Sequence, residues 1–301
     1  VSTPATLRLP AGYRRVRLTG RHGRLAAVQA TADDPQGEVL LLPGLTGSKE
    51  DYFAILGPLL GLGWSVTAID LPGQYESDGA ADPAGYTLSD LAADINGAAE
   101  QVATNGRLHL VGHSVGGLLA REALLAEPDR YASLVLYASG QARVGERAST
   151  VLSAMDQLLA AVDAGQVYEA KRAGDRAAGR PDPPPEIDAF MRERFVRTGS
   201  VHLRGLGQIG RTAPDRVPAL AELRRSSGLP VLVLWGSEDD ETWAPQDYAG
   251  LAHRLACEQV VVPGAAHSPA VEDPAAMVAA LDRFWRAAAT GRRGTAGAAP
   301  R

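Results

Sequence analysis

Six short runs, at residues 39–42, 65–70, 108–112, 134–139, 231–235 and 259–262, are built from β-branched residues and leucine and are separated by alanine-rich stretches. Strand runs alternating with helical runs confine the chain to an α/β fold on a mostly parallel sheet, because parallel neighbours need a helical crossover between them. Several runs are apolar at nearly every position, as strands covered by helices on both faces must be. Two earlier runs, 13–18 and 25–30, flank Gly20-Arg21-His22-Gly23 and read as an antiparallel pair. Helices are predicted at 49–60, 88–104, 115–126, 246–255 and 274–289.

Between 139 and 231 the alternation stops. About ninety residues intervene, far too many for a single crossover loop. Helical stretches are predicted at about 144–173, 185–197 and 214–225, with the break Pro181-Asp182-Pro183-Pro184-Pro185 among them. The chain thus reads as a sheet domain at 1–140 and 226–290 with a helical lobe inserted at 141–225. A Gly-, Ala-, Thr- and Pro-rich tail at 291–301, carrying Arg292 and Arg293, reads as disordered.

Composition removes several classes of function. The formal charge is −5 with both signs interspersed, so the clustered basic face of a nucleic-acid binder is missing. No apolar run approaches the ~20 residues of a membrane span. The sole cysteine, Cys257, excludes an internal disulfide framework and agrees with a reducing compartment, so the expected location is cytoplasmic. Residues 1–17 lack the apolar core of a secretory leader, although Val1 is not an initiating methionine. No cysteine pair, His-Glu-x-x-His or carboxylate cluster stands at metal-ligand spacing, and Gly44-Leu45-Thr46-Gly47-Ser48 lacks the Gly-Lys ending of a phosphate loop. No metal and no cofactor are expected, and the oligomeric state is open.

The chemistry centres on Gly112-His113-Ser114-Val115-Gly116, placed directly after one predicted strand and before a predicted helix. A sharp strand-to-helix turn lifts a serine hydroxyl clear of the backbone, and the glycines two residues before and after leave room for that turn. The helix that follows aims backbone N–H groups at the same place, where developing negative charge is stabilised. Val115 N–H is therefore a candidate oxyanion donor. A base must stand beside Ser114, and His267 is the best of the histidines because its Gly264-Ala265-Ala266 loop follows the last strand and precedes a helix.

Over about residues 13–289 the chain resembles the α/β-hydrolase family. The segment from Leu41 to Ser48 resembles the family's oxyanion loop, and Asp70-Leu71-Pro72-Gly73-Gln74-Tyr75-Glu76-Ser77 resembles its D-x-P-G-x-G-x-S stretch. Leu234-Trp235-Gly236-Ser237-Glu238-Asp239 resembles the stretch that carries the acid, and Pro263 to Pro269 the histidine loop. The inserted lobe lies where that family places a cap. The resemblance implies a Ser114–His267–Asp239 triad, with Asp240 the runner-up for the acid, and Leu45 N–H as second oxyanion donor. Two departures, Pro43-Gly44 and Gln74-Tyr75 in place of His-Gly pairs, leave the surroundings of the oxyanion loop and the pocket wall open.

The reaction so implied is hydrolysis of a carboxylic ester, or a related acyl bond, of a small and partly apolar substrate. Thioester, lactone or carbon–carbon bond hydrolysis and perhydrolysis by the same triad are alternatives, as is a non-catalytic ligand receptor on the same fold. Tyr52, Tyr75, Met155, Phe190 and Trp243 are the candidate pocket residues, with Leu158, Met191 and Phe195 nearby in the lobe.

Overall fold

The computed structural model describes residues 3–104 and 106–295. Its strands are β1 (Arg14–Gly20), β2 (Gly23–Ala30), β3 (Gly37–Leu42), β4 (Trp64–Ile69), β5 (Leu108–His113), β6 (Tyr131–Tyr137), β7 (Val231–Gly236) and β8 (Glu258–Val262). They form one sheet in the order β1-β2-β4-β3-β5-β6-β7-β8. β1 and β2 pair antiparallel, β2 joins β4 antiparallel, and every pair from β4 onward is parallel.

The helices are α1 (Phe53–Gly61), α2 (Leu88–Val102), α3 (Val115–Ala126), α4 (Glu146–Ala161), α5 (Ala164–Ala177), α6 (Pro185–Thr212), α7 (Val217–Ser227), α8 (Pro245–Leu255), α9 (Pro269–Glu272) and α10 (Pro274–Thr295). One face of the sheet packs on α2, α3 and α8, through residues such as Ile95, Leu118, Leu119 and Leu251. The other packs on α1 and α10, through Leu56, Leu59, Leu281 and Trp285. With both faces covered, every residue of β4, β5 and β7 is buried, which is why those segments are apolar almost throughout.

Between β6 and β7 lie α4 to α7, with an apolar cluster of their own around Leu159, Tyr168, Met191, Phe195 and Leu203. The stretch 144–173, expected as one helix, is two. Asp163 breaks it, because its carboxylate accepts the Gln166 N–H at 3.0 Å and caps the start of α5. Helix α6 was expected to stop at 197 and runs to Thr212, but only across a kink at Gly199 (φ 72°). That backbone angle suits glycine, and the helical pattern resumes beyond it. The last helix continues to Thr295, whereas residues 296–301 of the expected tail lie outside the described residues. Among the described residues no helix is long and apolar enough to cross a membrane.

Candidate active site

The parallel strands end on one edge of the sheet, and the segments after β3, β5, β7 and β8 carry Leu45, Ser114 with Val115, Asp239 and His267. Ser114 stands between β5 and α3 with φ 52° and ψ −122°, a conformation unusual for a residue with a side chain. Its N–H donates to the Tyr137 carbonyl at 2.8 Å, and its own carbonyl accepts the Gly117 N–H at 2.9 Å, fixing the bend from both sides. A β-carbon on Gly112 would sit 2.4 Å from the Gly116 carbonyl oxygen, and one on Gly116 would sit 2.3 Å from that of Pro43. The glycines therefore do two jobs: they allow the bend, and they let it press against the loop after β3.

That loop is held by several ties. Gln74 Nε2 donates to the Gly44 carbonyl at 2.8 Å while its Oε1 accepts the Leu71 N–H at 3.0 Å. Gln74 thus bridges the two loops at one of the positions where the chain departs from the family pattern. Past Leu45, Ser48 N–H donates to Asp51 at 3.3 Å, and Arg194 of α6 bonds the Ser48 hydroxyl and Asp51 at 3.3 and 2.7 Å. Lys49, 1 % exposed, donates its backbone N–H and its ammonium to the two oxygens of Asp70, both at 2.8 Å. The same ammonium faces Glu50 at 3.0 Å and Glu76 at 2.7 Å. Val115 opens α3, where the first N–H groups have no acceptor within the helix, and Leu45 is half-buried on the neighbouring loop.

Asp239 and His267 meet. His267 Nδ1 lies 3.0 and 3.1 Å from the two oxygens of the fully buried Asp239 carboxylate. Asp240, the runner-up, is 80 % exposed and faces Arg147 at 3.6 Å. The loops reach one another because β7 ends on Gly236, where a β-carbon would stand 2.1 Å from the Ala265 carbonyl oxygen. Burial works against a charge on either partner, yet their mutual hydrogen bond and attraction outweigh it. Asp239 is held below the usual carboxylate range, and His267 is raised above the ordinary histidine value.

The His267 loop is gripped on its backbone as well. Glu272 accepts the Ser268 N–H at 3.1 Å and the Ala266 N–H with its other oxygen. His113, the residue before Ser114, has Nε2 2.8 Å from the His267 carbonyl, its ring stacked on Tyr137 and 4.9 Å from the His267 ring. Burial, then the charge of His267, push the His113 pKa down to about 3, so Nε2 carries its proton as a neutral donor. The serine bend and the histidine loop are thereby joined through adjacent residues. The parts played by His113, Glu272 and Tyr248, which bonds Asp239, are not visible in the sequence because each acts by a hydrogen bond that leaves no periodic or spacing signal, and Gln74 stands out there only as a departure from the family pattern.

The candidate pocket residues separate into groups. Tyr52 is buried in the core, its hydroxyl donating to the Leu42 carbonyl at 2.7 Å beneath the loop after β3. Trp243 is buried beside Tyr248, its Nε1 donating to the Arg143 carbonyl at 3.1 Å. Tyr75 and Phe190 meet edge to face at 5.5 Å, joining the loop after β4 to α6, and Met155 packs against the apolar cluster of the inserted helices. A cavity of about 590 Å³ is lined by Gln141, Arg143, Glu146, Trp243 and Asp247, with neither Ser114 nor His267 in its wall. It adjoins the loop that carries Asp239 rather than the serine bend.

A model of the alpha/beta hydrolase fold matches residues 38–274, and the chain belongs to that family. Over 98 residues, 33 % of this chain, it is 46 % identical to a putative carbamate hydrolase, RutD, of Variovorax paradoxus (strain S110). The match spans about a third of that relative, 36 % of its length. Among solved structures, a carboxylesterase study of the thaumarchaeon Nitrososphaera gargenis aligns with TM-score 0.75 at 19 % identity, covering 92 % of this chain and 100 % of that one. A thermophilic esterase from Thermogutta terrifontis aligns with TM-score 0.73 at 21 % identity, covering 91 % and 99 %. At such identities these two likenesses speak for the fold.

Proposed function

We propose that the chain is a serine hydrolase that cleaves a carboxylic ester of a small, partly apolar substrate, with Ser114 as nucleophile, His267 as base and Asp239 as acid. The observation that carries this reading is the His267–Asp239 pair, tied through His113 to the strained bend that bears Ser114.

In the proposed reaction, His267 Nε2 takes the Ser114 hydroxyl proton as the oxygen bonds to the substrate carbonyl carbon. The carbonyl oxygen becomes an oxyanion and is met by the N–H groups of Val115 and Leu45, each such donor worth about 3 kcal/mol in the transition state. Collapse breaks the bond to the alcohol, which leaves with the proton held by His267. Water then attacks the acyl–Ser114 carbonyl, giving its proton to His267. The second collapse returns that proton to Ser114 and frees the acid. Asp239 stays ionised throughout and holds the Nδ1–H. The helices α4 to α7 serve as a cap over this centre, with Tyr75 and Phe190 at the join. Carbamate hydrolysis by the same steps is the second reading, favoured by the identity to a putative carbamate hydrolase.

A fluorophosphonate probe followed by peptide mass mapping tests the assignment. One adduct at Ser114 is expected, and an unlabelled Ser114 under conditions that label a control esterase would refute it. Ester and carbamate substrates with the same aryl leaving group then separate the two readings by their kcat/KM.

The pH dependence follows from His267. Its neutral form is the base, and Asp239 raises its pKa above the ordinary value, so kcat/KM is expected to climb through a midpoint above 6.5. In Asp239→Asn the attraction is gone while burial still disfavours the cation. The midpoint is then expected to move to lower pH, and a midpoint that stays put or rises contradicts the pairing.

A further inference from the structure

Asp239 is fully buried, and an ionised carboxylate is an acceptor that needs donors on both oxygens to stay fixed about its last torsion. Its own loop supplies one: the Glu241 N–H reaches Oδ1 at 3.2 Å. Oδ2 receives, besides the imidazole, the Tyr248 hydroxyl at 2.8 Å. Tyr248 projects from α8, is itself fully buried, and is stacked on Trp235 at 5.5 Å with Trp243 edge-on at 6.4 Å. The two indoles hold the ring so that its hydroxyl stays beside Oδ2, and no bulk water reaches either buried group to replace it.

We infer that Tyr248 is a positioning residue, whose hydroxyl sets both the orientation of Asp239 and the basicity that Asp239 confers on His267. The inference rests on the proposed roles of those two residues. Burial, then the neighbouring carboxylate, push the Tyr248 phenol far above the working range, so the hydroxyl keeps its proton and donates at every pH of interest. A donor on Oδ2 draws charge from the carboxylate. Removing it leaves the carboxylate more basic, strengthens its attraction for the imidazolium, and raises the pH at which His267 loses its proton. The other groups facing the pair are Glu241 on the Asp239 loop, His113 at the end of β5, and Glu272 of α9, whose carboxylate holds the backbone on either side of His267. None of them changes in Tyr248→Phe, which deletes one oxygen and keeps the ring.

The test titrates the low-field proton resonance of the His267 imidazole in wild type and Tyr248→Phe, beside pH profiles of aryl-ester hydrolysis normalised to the fluorophosphonate titre. The His267 midpoint is expected to rise by about half a unit in the variant. The plateau kcat is expected to fall by about threefold, with KM within twofold, as a misaimed acid predicts. The same change made on an Asp239→Asn background is expected to leave the midpoint where it was, since the anionic partner is already gone. Superimposable titrations in wild type and Tyr248→Phe would overturn the inference. So would a lower kcat with an unmoved midpoint, which marks a packing role alone, or an equal shift on the Asp239→Asn background. If wild type takes no adduct and turns over no ester, the hydrolase reading fails, and the resonance titration still decides what the hydroxyl does to the imidazole.

Discussion

Ser114→Ala is expected to lower kcat by about 10⁴- to 10⁶-fold on whatever acyl substrate the protein turns over. The change deletes the one oxygen that would form the acyl-enzyme, and the hydroxyl of a bulk water is neither positioned nor activated in its place. Because Ser114 already sits at φ 52°, alanine inherits a backbone angle that serine tolerates no better, so the fold should survive. The measurement is aryl-ester turnover by purified wild type and variant, with matched melting curves. Residual catalysis is expected from Val115 and Leu45, whose donors remain. Turnover within tenfold of wild type would mean that the serine at the bend is not the nucleophile.

Lys49→Met is expected to lower stability by about 3–5 kcal/mol, seen as a fall of about 10 °C in Tm. The ammonium is the buried counter-charge to Asp70, Glu50 and Glu76, the first two at most 4 % exposed. Breaking such a set strands carboxylates where water cannot solvate them, whereas removing charge from both sides is far milder. Lys49→Met with Asp70→Leu is therefore expected to recover part of the loss. A single variant that melts within about 2 °C of wild type would show the network contributes little. Since Lys49 lies just past the loop that carries Leu45, the proposed ester hydrolysis is expected to fall along with Tm.

How much of this was readable from sequence depends on the kind of force involved. Strands buried on both faces advertise themselves by composition, and α3 occupies the same residues, 115–126, that the helical run after the serine turn implied. The inserted helices were read less well. Their faces answer to one another rather than to the sheet, so the cap at Asp163 and the kink at Gly199 decided their bounds. At the site, residue type and loop order point to Ser114 and His267, while the choice of Asp239 over Asp240 comes from the resemblance to the family's pattern; the fold brings His267 and Asp239 to 3.0 Å. The ties around them were not legible. Arg194 reaches Ser48 and Asp51 across more than 140 positions of chain, and Gln74 reaches Gly44 across 30. Such contacts exist only once the topology has brought two loops to one edge. Of the candidate pocket aromatics, Tyr52 lies in the core beneath the loop after β3, whereas Trp243, also buried, forms part of the wall of the cavity of about 590 Å³, because an aromatic with a polar tip is as useful under a loop as above it.

His267 follows β8, the outermost strand of the sheet, whose residues are mostly open to solvent and which has β7 as its one neighbour in the sheet. A ring mounted there would wander if the strand alone aimed it. It is instead steered from outside the strand, by the buried His113 on its carbonyl, the buried Asp239 on its ring and the exposed Glu272 on the N–H groups of its two neighbours, so that β8 acts as a hinge pin while the bearings lie elsewhere. The exposed residues of that margin are thus released from the chemistry, and the strand can drift in sequence while the imidazole keeps its aim.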